Sequence, residues 1–326
     1  MLKLGAMLIP VMPTDEVVET IVAAEQVGLD YCLLADEGLM SDVYVALGAA
    51  ALRTSRIRLG PVTNGYTRHP AATATAIATL NELSGGRAIG MLVAGGSMTL
   101  APLGIRRQAP VEMVAESIEV IRSLWSGESI TWSGDHVRVD GAQLGTGPQQ
   151  IPIWVAARGP RMLRLAGRSA DGVMLEVKAD LESALALVDE GVAGGAQSPD
   201  RIYLDRLAYR PDQYQGSASK VFVHVLMDSP DRQLLSLGLS QDEVDAFRTA
   251  YRSGRSELAA AYVTDDIVRR RQLMGTPAEC SDMLRGLTEQ FDLDAFFFYI
   301  KSPGLDANTQ VMREVLAIVD DARHDR

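Results

Sequence analysis

The sequence has little cysteine, little histidine and no long run of apolar residues. Only two cysteines are present, which excludes a disulfide framework, and Cys32 lies in an apolar run typical of a buried strand. The histidines are scattered and give no metal-ligand spacing: they are His69, His136, His224 and His324. No run of about 18 apolar residues occurs, so the sequence predicts no membrane-spanning helix.

Acidic residues outnumber basic ones, 42 to 31, which gives a net charge of −11. Nucleic-acid phosphates attract basic surfaces, so this balance argues against nucleic acid as the main partner. The apolar start of the chain contains Pro10 and runs into Thr14 and Asp15, which predicts a first strand rather than a signal peptide. We therefore expect a cytoplasmic protein that acts on a small molecule, with no nucleic-acid or membrane partner.

Short apolar runs alternate with helical patterns along most of the chain. The runs predict strands at 4–9, 31–35, 57–62, 88–93, 151–156, 173–175, 221–227 and 295–300. Alternation at this spacing indicates a parallel sheet, and eight strands in 326 residues favour a (β/α)8 TIM barrel over a Rossmann sheet. We expect residues 1–326 to form a single domain of this kind.

Two segments depart from this rhythm. Residues 128–150 have a strand–turn–strand pattern around Gly134 and Asp135, which predicts a hairpin excursion. Residues 228–275 are longer than an ordinary connection, and they predict two or three polar helices that form an insertion or lid after the seventh strand.

Active sites of parallel barrels lie beyond the C-terminal ends of the strands. Four predicted strand ends are unusually polar or glycine-rich, at residues 36–37, 61–64, 94–97 and 157–161. In the last, Gly159 permits close backbone approach and Pro160 suits the first turn of a helix. Arg158 and Arg161 add positive charge there, so the segment predicts a phosphate site or, equally, an ordinary turn with surface arginines.

The other strand ends carry weaker signals. Asp36 and Glu37 adjoin on one loop, where they suit acid–base chemistry or capping of the helix that starts near Ser41 and Asp42. Residues 94–97 form a glycine-rich turn, but no G-x-G-x-x-G fingerprint occurs. The aromatic run at 296–299 indicates a buried last strand first and a cofactor wall second.

Four segments together resemble the luciferase-like flavin and deazaflavin oxidoreductases. They are LGPVTNGYTRHP at 59–70, LNELSGGRA at 80–88, IPIWVAARGP at 151–160 and LAGRSADGV at 165–173. The resemblance is to the coenzyme F420-dependent branch, typified by methylene-tetrahydromethanopterin reductase. It covers residues 4–175 and fades in the last third of the chain.

The resemblance implies a (β/α)8 barrel, usually dimeric, whose third strand has a bulge and a non-prolyl cis peptide bond behind the cofactor ring. It places that bond between Pro61 and Val62. The family's cofactor contacts map to Asp36, Pro61, Val62, Asn64, Gly95, Gly96, Ser97 and Ala157, and its phosphate contacts map to Arg158, Gly159, Pro160 and Arg161.

Two positions differ from the family's pattern. The tetrahydropterin reductases have a glutamate on the first strand where this chain has Met7, and methionine cannot donate a proton. The family's sugar-phosphate and alcohol dehydrogenases have a histidine after the strand-two aspartate, where this chain has Glu37. Glu37 is therefore the candidate acid or base, a role that suits a carboxylate whose pKa is raised by burial.

The resemblance thus implies a homodimeric oxidoreductase that transfers a hydride between coenzyme F420 and a small organic substrate. An FMN-dependent monooxygenase on the same barrel is the first alternative. A non-catalytic barrel that binds a flavin or no cofactor is the second. The substrate would contact residues 200–276, where the resemblance fades, so its identity stays open.

Overall fold

A computed structural model describes residues 1–192, 197–214, 223 and 225–324 of the chain. Eight parallel strands close into a barrel, so the predicted (β/α)8 TIM barrel is confirmed. The strands are β1 (Lys3–Leu8), β2 (Tyr31–Ala35), β3 (Arg58–Thr63), β4 (Gly90–Leu92), β5 (Ile130–Ser133), β6 (Arg138–Ala142), β7 (Ile153–Ala156), β8 (Gly172–Leu175), β9 (Asp200–Asp205) and β10 (Ala295–Ile300). All except β5 and β6 belong to the barrel, where β10 pairs with β1 to close it.

Helices surround the barrel. Those described are α1 (Thr14–Val27), α2 (Val43–Ala51), α3 (Pro70–Ser84), α4 (Ser97–Leu100), α5 (Pro110–Trp125), α6 (Pro160–Ser169), α7 (Leu181–Gly191), α8 (Pro211–Tyr214), α9 (Asp231–Ser236), α10 (Gln241–Arg252), α11 (Ser256–Ala260), α12 (Asp265–Arg271), α13 (Pro277–Phe291) and α14 (Leu305–His324). Short 3-10 turns lie at Ala101–Leu103 and Lys178–Asp180. Within the described ranges, no helix combines the length and apolar character that a membrane crossing requires.

The start of α2 is capped by Asp42. Its carboxylate accepts hydrogen bonds from the backbone N–H groups of Tyr44 and Val45, at 2.9 and 3.1 Å. Neither Asp36 nor Glu37 caps this helix, so that alternative for the two acidic residues is wrong.

Side chains of the barrel strands alternate between the lumen and the outer core, as the two-residue period of a strand requires. On β10, Phe297 and Tyr299 belong to the lumen cluster, whereas Phe296 and Phe298 pack beneath the surrounding helices. The aromatic run is therefore a buried last strand, as predicted.

Three aromatic rings fill the N-terminal part of the lumen, and we call them the aromatic plug: Tyr31, Trp154 and Phe297. Their centroids lie 5.2 to 6.1 Å apart, the spacing of favourable ring pairs. Gly5 and Gly172 make room for them, because a Cβ at either position would lie within 2.5 Å of the Phe297 or Trp154 ring. The plug leaves the C-terminal end of the barrel for polar groups.

Strand β3 is regular where the resemblance predicts a bulge and a cis peptide bond. Residues 58–62 pair with 31–35 of β2 in unbroken register. Every peptide bond among the described residues is trans, so the expected bulge and cis bond at Pro61–Val62 are wrong. On the side of β3 that faces β4, Leu59 and Val62 are paired but Pro61 between them is not. Proline has no N–H to donate, so it fits this gap in the sheet hydrogen bonds with a trans peptide bond.

An antiparallel hairpin, β5 and β6, lies within residues 128–150. The carboxylate of Glu116 on α5 accepts the backbone N–H groups at the hairpin turn, from Asp135, His136 and Val137, at 2.8 to 3.0 Å. This contact fixes the hairpin to the side of the barrel.

The predicted seventh strand at 221–227 is wrong. Residues 223 and 225–227 are helical, and positions 221, 222 and 224 lie outside the described residues. The seventh barrel strand is β9, which pairs with β8 and β10. Its sequence, DRIYLD, is charged at both ends and has a short apolar centre, whereas the alternating valines at 221–225 imitate a strand.

Helices α9 to α12 lie between β9 and β10 and have a small core of their own. Leu226, Leu234, Val244 and Phe247 are buried in this core. Four helices therefore occupy residues 228–275, where two or three were expected.

Candidate active site

The loop after β2 carries two of the predicted site residues. Asp36 is half-buried and accepts a hydrogen bond from the hydroxyl of Thr63, at the end of β3, over 3.0 Å. Glu37 is also half-buried and accepts a hydrogen bond from the hydroxyl of Thr99 over 2.9 Å. The two carboxylates thus join the β2 loop to β3 and to α4, at the C-terminal mouth of the barrel.

The end of β3 contributes one wall of the mouth. Val62 is half-buried and packs against the lumen cluster, while Pro61 is buried in the strand. Asn64 is buried, and its side-chain oxygen accepts the backbone N–H groups of Tyr66 and Thr67 at 2.9 and 3.0 Å. The oxygen of Asn64 therefore shapes its own loop.

The glycine-rich turn after β4 leads directly into α4. Gly95 has a φ of 77° and a Cβ there would lie 2.8 Å from Leu100, so the position requires glycine. Gly96 is exposed at the start of α4. The hydroxyl of Ser97 donates to the carboxylate of Asp228, at 3.0 Å, so this turn is joined to the residues that precede α9.

The segment before α6 is the most open of the predicted ones. Gly159 is the residue before the first helical residue, no side chain caps the helix there, and a Cβ on Gly159 would meet nothing within 4 Å. Pro160 and Arg161 are exposed, and Arg161 pairs with Glu112. Ala157 is buried in the outer core, so its side chain does not face the mouth.

A buried carboxylate that the sequence did not single out organises the mouth. Glu176 follows β8, and its Oε2 lies 2.5 Å from Arg158 Nη2 and 3.6 Å from Arg271 Nη2. Its other oxygen accepts a hydrogen bond from the Tyr299 hydroxyl over 2.6 Å. Arg206 lies over the Tyr299 ring, 4.8 Å from its centroid.

These contacts fix the protonation of both groups. Burial acts to raise the pKa of Glu176, but the charges of Arg158, Arg271 and Arg206 outweigh it and hold that pKa well below its usual range. Burial, and then the charge of Glu176, raise the pKa of Tyr299 well above its usual value. Glu176 is thus an anion at neutral pH, and Tyr299 keeps its proton.

Backbone strain lies next to this carboxylate. Val177 has a φ of 88° and a ψ of 93°, a conformation rare for a β-branched residue, and its side chain is buried. Such strain costs about 1–3 kcal/mol and persists where the surroundings enforce it.

The sequence contained part of the signal for this cluster. Glu176 directly follows a short apolar strand, and Tyr299 lies in the aromatic run of β10. No local pattern connects them with Arg271, because α12 reaches the mouth only through tertiary packing.

A cavity of about 490 Å³ lies at the opposite end of the barrel. Residues around the starts of β7 and β8 line it, among them Arg122, Trp125, Pro152 and Asp171. Active sites of such barrels lie at the C-terminal end of the strands, so this cavity is separate from the candidate site.

Comparison with known proteins fixes the family. The profile described as luciferase-like monooxygenase matches residues 3–292. The chain belongs to the luciferase-like monooxygenase family. The family resemblance predicted from the four motifs is therefore confirmed.

Three relatives of this luciferase-like protein are informative. It is 34% identical over 302 residues to a 5,10-methylenetetrahydromethanopterin reductase of Archaeoglobus fulgidus, covering 88% of this chain and 90% of the relative. It is 35% identical over 172 residues to an F420-dependent glucose-6-phosphate dehydrogenase of Nakamurella multipartita, covering 48% of this chain and 51% of that one. The solved coenzyme F420-dependent tetrahydromethanopterin reductase of Methanopyrus kandleri superposes with a TM-score of 0.82 at 26% identity, covering 97% of this chain and 99% of that chain.

Proposed function

We propose that this luciferase-like protein is an oxidoreductase that transfers a hydride between coenzyme F420 and a small organic substrate. The observation that carries this proposal is the open, uncapped start of α6 beside Arg158, at the mouth of a barrel whose relatives include proteins named as F420-dependent. Exposed backbone N–H groups at a helix start attract phosphate.

The residues at the mouth fit this cofactor. F420 joins a flat deazaflavin ring to a tail that includes a phosphate. The space in front of Gly159 is open to a phosphate, and the preceding residue, Arg158, carries a guanidinium that is paired with Glu176. Met7, Val62 and Tyr299 belong to or pack against the lumen cluster, and they offer an apolar wall for a flat ring.

When bound, F420 accepts or supplies a hydride at C5 of its ring. The chain would bind and orient the cofactor: Arg158 and the start of α6 would hold the phosphate, and Met7 and Val62 would contact the ring. Asp36, Asn64 and the turn at 95–97 shape the rim of the mouth through the hydrogen bonds described above.

Glu37 holds or moves the substrate's proton. Glu176 does not suit this role, because the charges around it keep it ionised. Met7 offers no proton, and it occupies the position at which the tetrahydropterin reductases are expected to have a glutamate. Glu37 is a half-buried carboxylate at the mouth, and among the described residues it accepts a hydrogen bond from the hydroxyl of Thr99.

The experiment is a fluorescence titration of the purified full-length chain with F420 and, in parallel, with FMN. Saturable F420 binding is expected. Gly159→Val should weaken it tenfold or more, because the new side chain extends into the space in front of α6, where a Cβ meets nothing within 4 Å. Gly145→Val is the matched control, since a Cβ at Gly145 also meets nothing within 4 Å.

Each other outcome points elsewhere. Saturable FMN binding without F420 binding, together with oxygen uptake by reduced FMN, would replace this proposal with a monooxygenase. Binding of neither cofactor would favour a non-catalytic barrel. Equal F420 affinity in the Gly159→Val and Gly145→Val variants would remove the α6 start from the cofactor site.

We also infer that the protein forms a homodimer through α2 and α3. Val45 on α2 and Leu52, the residue that follows α2, are 69% and 70% exposed, and Leu83 on α3 is 43% exposed. Leu83 lies beside Gly48 of α2, whose position in the sequence is between Val45 and Leu52, and we treat the three apolar side chains as one patch. Such a patch on a folded protein suits a protein interface, and a second copy is the commonest partner.

A further inference from the structure

A second cavity opens at the C-terminal end of the barrel, between β9, β10 and α14. Its volume is about 380 Å³, within the range of small-molecule sites. The buried part of its lining is mostly apolar and includes Phe298, Ile300 and Val315, with the polar Asn308, and Val311 is half-buried beside them. Tyr299 and Arg206 separate it from the Glu176 cluster.

Cationic side chains occupy the solvent side of this cavity. Arg206, Arg210 and Lys301 all line it. Arg210 is paired with Glu314, at 3.4 Å, whereas Lys301 has no ion-pair partner within 4 Å among the described residues. Glu314 is further engaged by the hydroxyl of Tyr209 at 2.7 Å, so its charge is taken up within the protein.

Two arginines act on the charge of Lys301. Partial burial, and then the charges of Arg206 and Arg271, lower the pKa of the Lys301 ammonium to about 8. Coulombic repulsion of this kind is relieved when an anion binds between the cations. The place also matches the general position, after strands seven and eight, at which barrels bind anionic groups.

The loop that carries Lys301 is held in shape. The side-chain amide of Asn308, in the first turn of α14, donates to the carbonyl of Ser302 over 2.9 Å. The backbone N–H of Gly304 donates to Glu16 over 2.5 Å. The cavity wall is therefore preformed, which lowers the entropic cost of binding.

We propose that this cavity binds a small organic anion, whose carboxylate or phosphate group contacts Lys301 and Arg206 and whose carbon portion lies against Phe298, Ile300 and Val311. An inorganic ion would leave the apolar lining uncovered, and a neutral molecule would leave Lys301 without a counter-charge. The proposal goes beyond the proposed function, because it does not depend on which cofactor the barrel holds.

The test is calorimetric titration of the full-length chain with hexanoate and with hexyl phosphate, with 1-hexanol and inorganic phosphate as comparison ligands. We expect saturable binding of at least one organic anion, tenfold or more tighter than binding of either comparison ligand. Hexanoate and hexyl phosphate distinguish a carboxylate site from a phosphate site. F420 titrations on the same samples separate failure of this proposal from failure of the proposed function.

Lys301→Met keeps the length of the side chain and removes the charge, so it should weaken anion binding tenfold or more. Lys3→Met, at the other end of the barrel, makes the same change in net charge and should leave anion binding unaltered. Val311→Trp should fill the cavity and abolish binding of organic anions.

A second readout follows the lysine itself. The chain has four lysines, so methyl signals of ¹³C-methylated protein can be assigned with the Lys301→Met variant. Saturating organic anion should raise the pKa of Lys301 by a unit or more. No saturable binding below about 10 mM, equal binding in the Lys301→Met variant, or an unmoved Lys301 pKa would each overturn the proposal.

Discussion

Tyr299 on β10 donates its hydroxyl hydrogen to Glu176, the residue after β8, across 2.6 Å. The same carboxylate binds Arg158, which precedes α6. One buried anion thus connects the ends of three barrel strands, and the mouth depends on it for its shape.

Tyr299→Phe removes this hydrogen bond and leaves the ring in place. Hydrogen bonds to charged groups contribute about 1.5–3 kcal/mol, so we expect the free energy of unfolding to fall by that amount in urea denaturation. Tyr31→Phe is the control, because Tyr31 belongs to the same lumen and its hydroxyl makes no hydrogen bond with the described residues. Equal effects of the two variants would contradict a stabilising role for the Tyr299–Glu176 contact.

Glu37→Gln tests the proposed acid or base. Glutamine keeps the size and an acceptor for the Thr99 hydroxyl, so the loop should hold its shape. In the assay that gives turnover for the unmodified chain, kcat should fall about 10²–10⁴-fold while the Kd for F420 stays within twofold. Glu119→Gln, on the exposed side of α5, should change neither. Unchanged turnover in Glu37→Gln would exclude Glu37 from catalysis.

Asp205 should make stability depend on pH. Burial raises its pKa to about 6, although hydrogen bonds from Tyr203 and the backbone of Leu207 and Leu273 oppose the shift. Between pH 4 and 6 the folded chain holds this proton and the unfolded chain does not, so this contribution to stability is lost as pH rises.

Asp205→Asn removes that titration. From pH 4 to 7 the stability of the variant relative to the parent should rise, on the order of 2–3 kcal/mol, as measured by urea denaturation at each pH. Asp140→Asn, at an exposed position on β6, should show no such trend. A pH-independent difference for Asp205→Asn would show that Asp205 keeps an ordinary pKa in the folded chain.

The strain at Val177 can be measured by two substitutions. Val177→Ala keeps a Cβ, which is strained at a positive φ, whereas Val177→Gly has no Cβ. The free energy of unfolding of the glycine variant should therefore exceed that of the alanine variant by about 1 kcal/mol. At Val188 in α7 the alanine variant should instead be more stable than the glycine variant by about 1 kcal/mol, since glycine is unfavourable inside a helix. The same order at both positions would mean that Val177 is not strained.

Leu52→Lys tests the proposed dimer. The charge introduced within the apolar patch should shift the mass measured by light scattering from that of a dimer to that of one chain, 35.2 kDa. Leu258→Lys, at another exposed leucine 53% accessible to solvent, should leave the mass unchanged. A dimer that survives Leu52→Lys would place the interface elsewhere.

The barrel was predictable because its signal is local. Short buried strands and periodic helices recur at even spacing, and each can be seen within about ten residues. Two of the motifs that resemble the family turn out to stabilise the N-terminal end. Arg87 donates to the carbonyls of Ile57 and Ala51, at 2.7 and 3.0 Å, and Asp171 accepts the N–H of Ile153 at 2.7 Å.

The parts that could not be predicted depend on distant contacts. In the sequence, the alternating valines at 221–225 are a stronger strand signal than β9, whose ends are charged. Which of the two segments joins the sheet is decided by tertiary pairing, and β9 is the one that pairs. The Glu176 cluster joins residues from β8, β10 and α12, and no local pattern announces it. The expected cis bond at Pro61–Val62 came from resemblance alone, and the pairing of β3 with β2 does not require it.

The aromatic plug closes the lumen at one end, because Trp154 and Phe297 are fully enclosed by the strands around them. Two molecules that bind together at the mouth therefore enter from the same side of the barrel. When one of them lies deeper than the other, it has to arrive first and depart last.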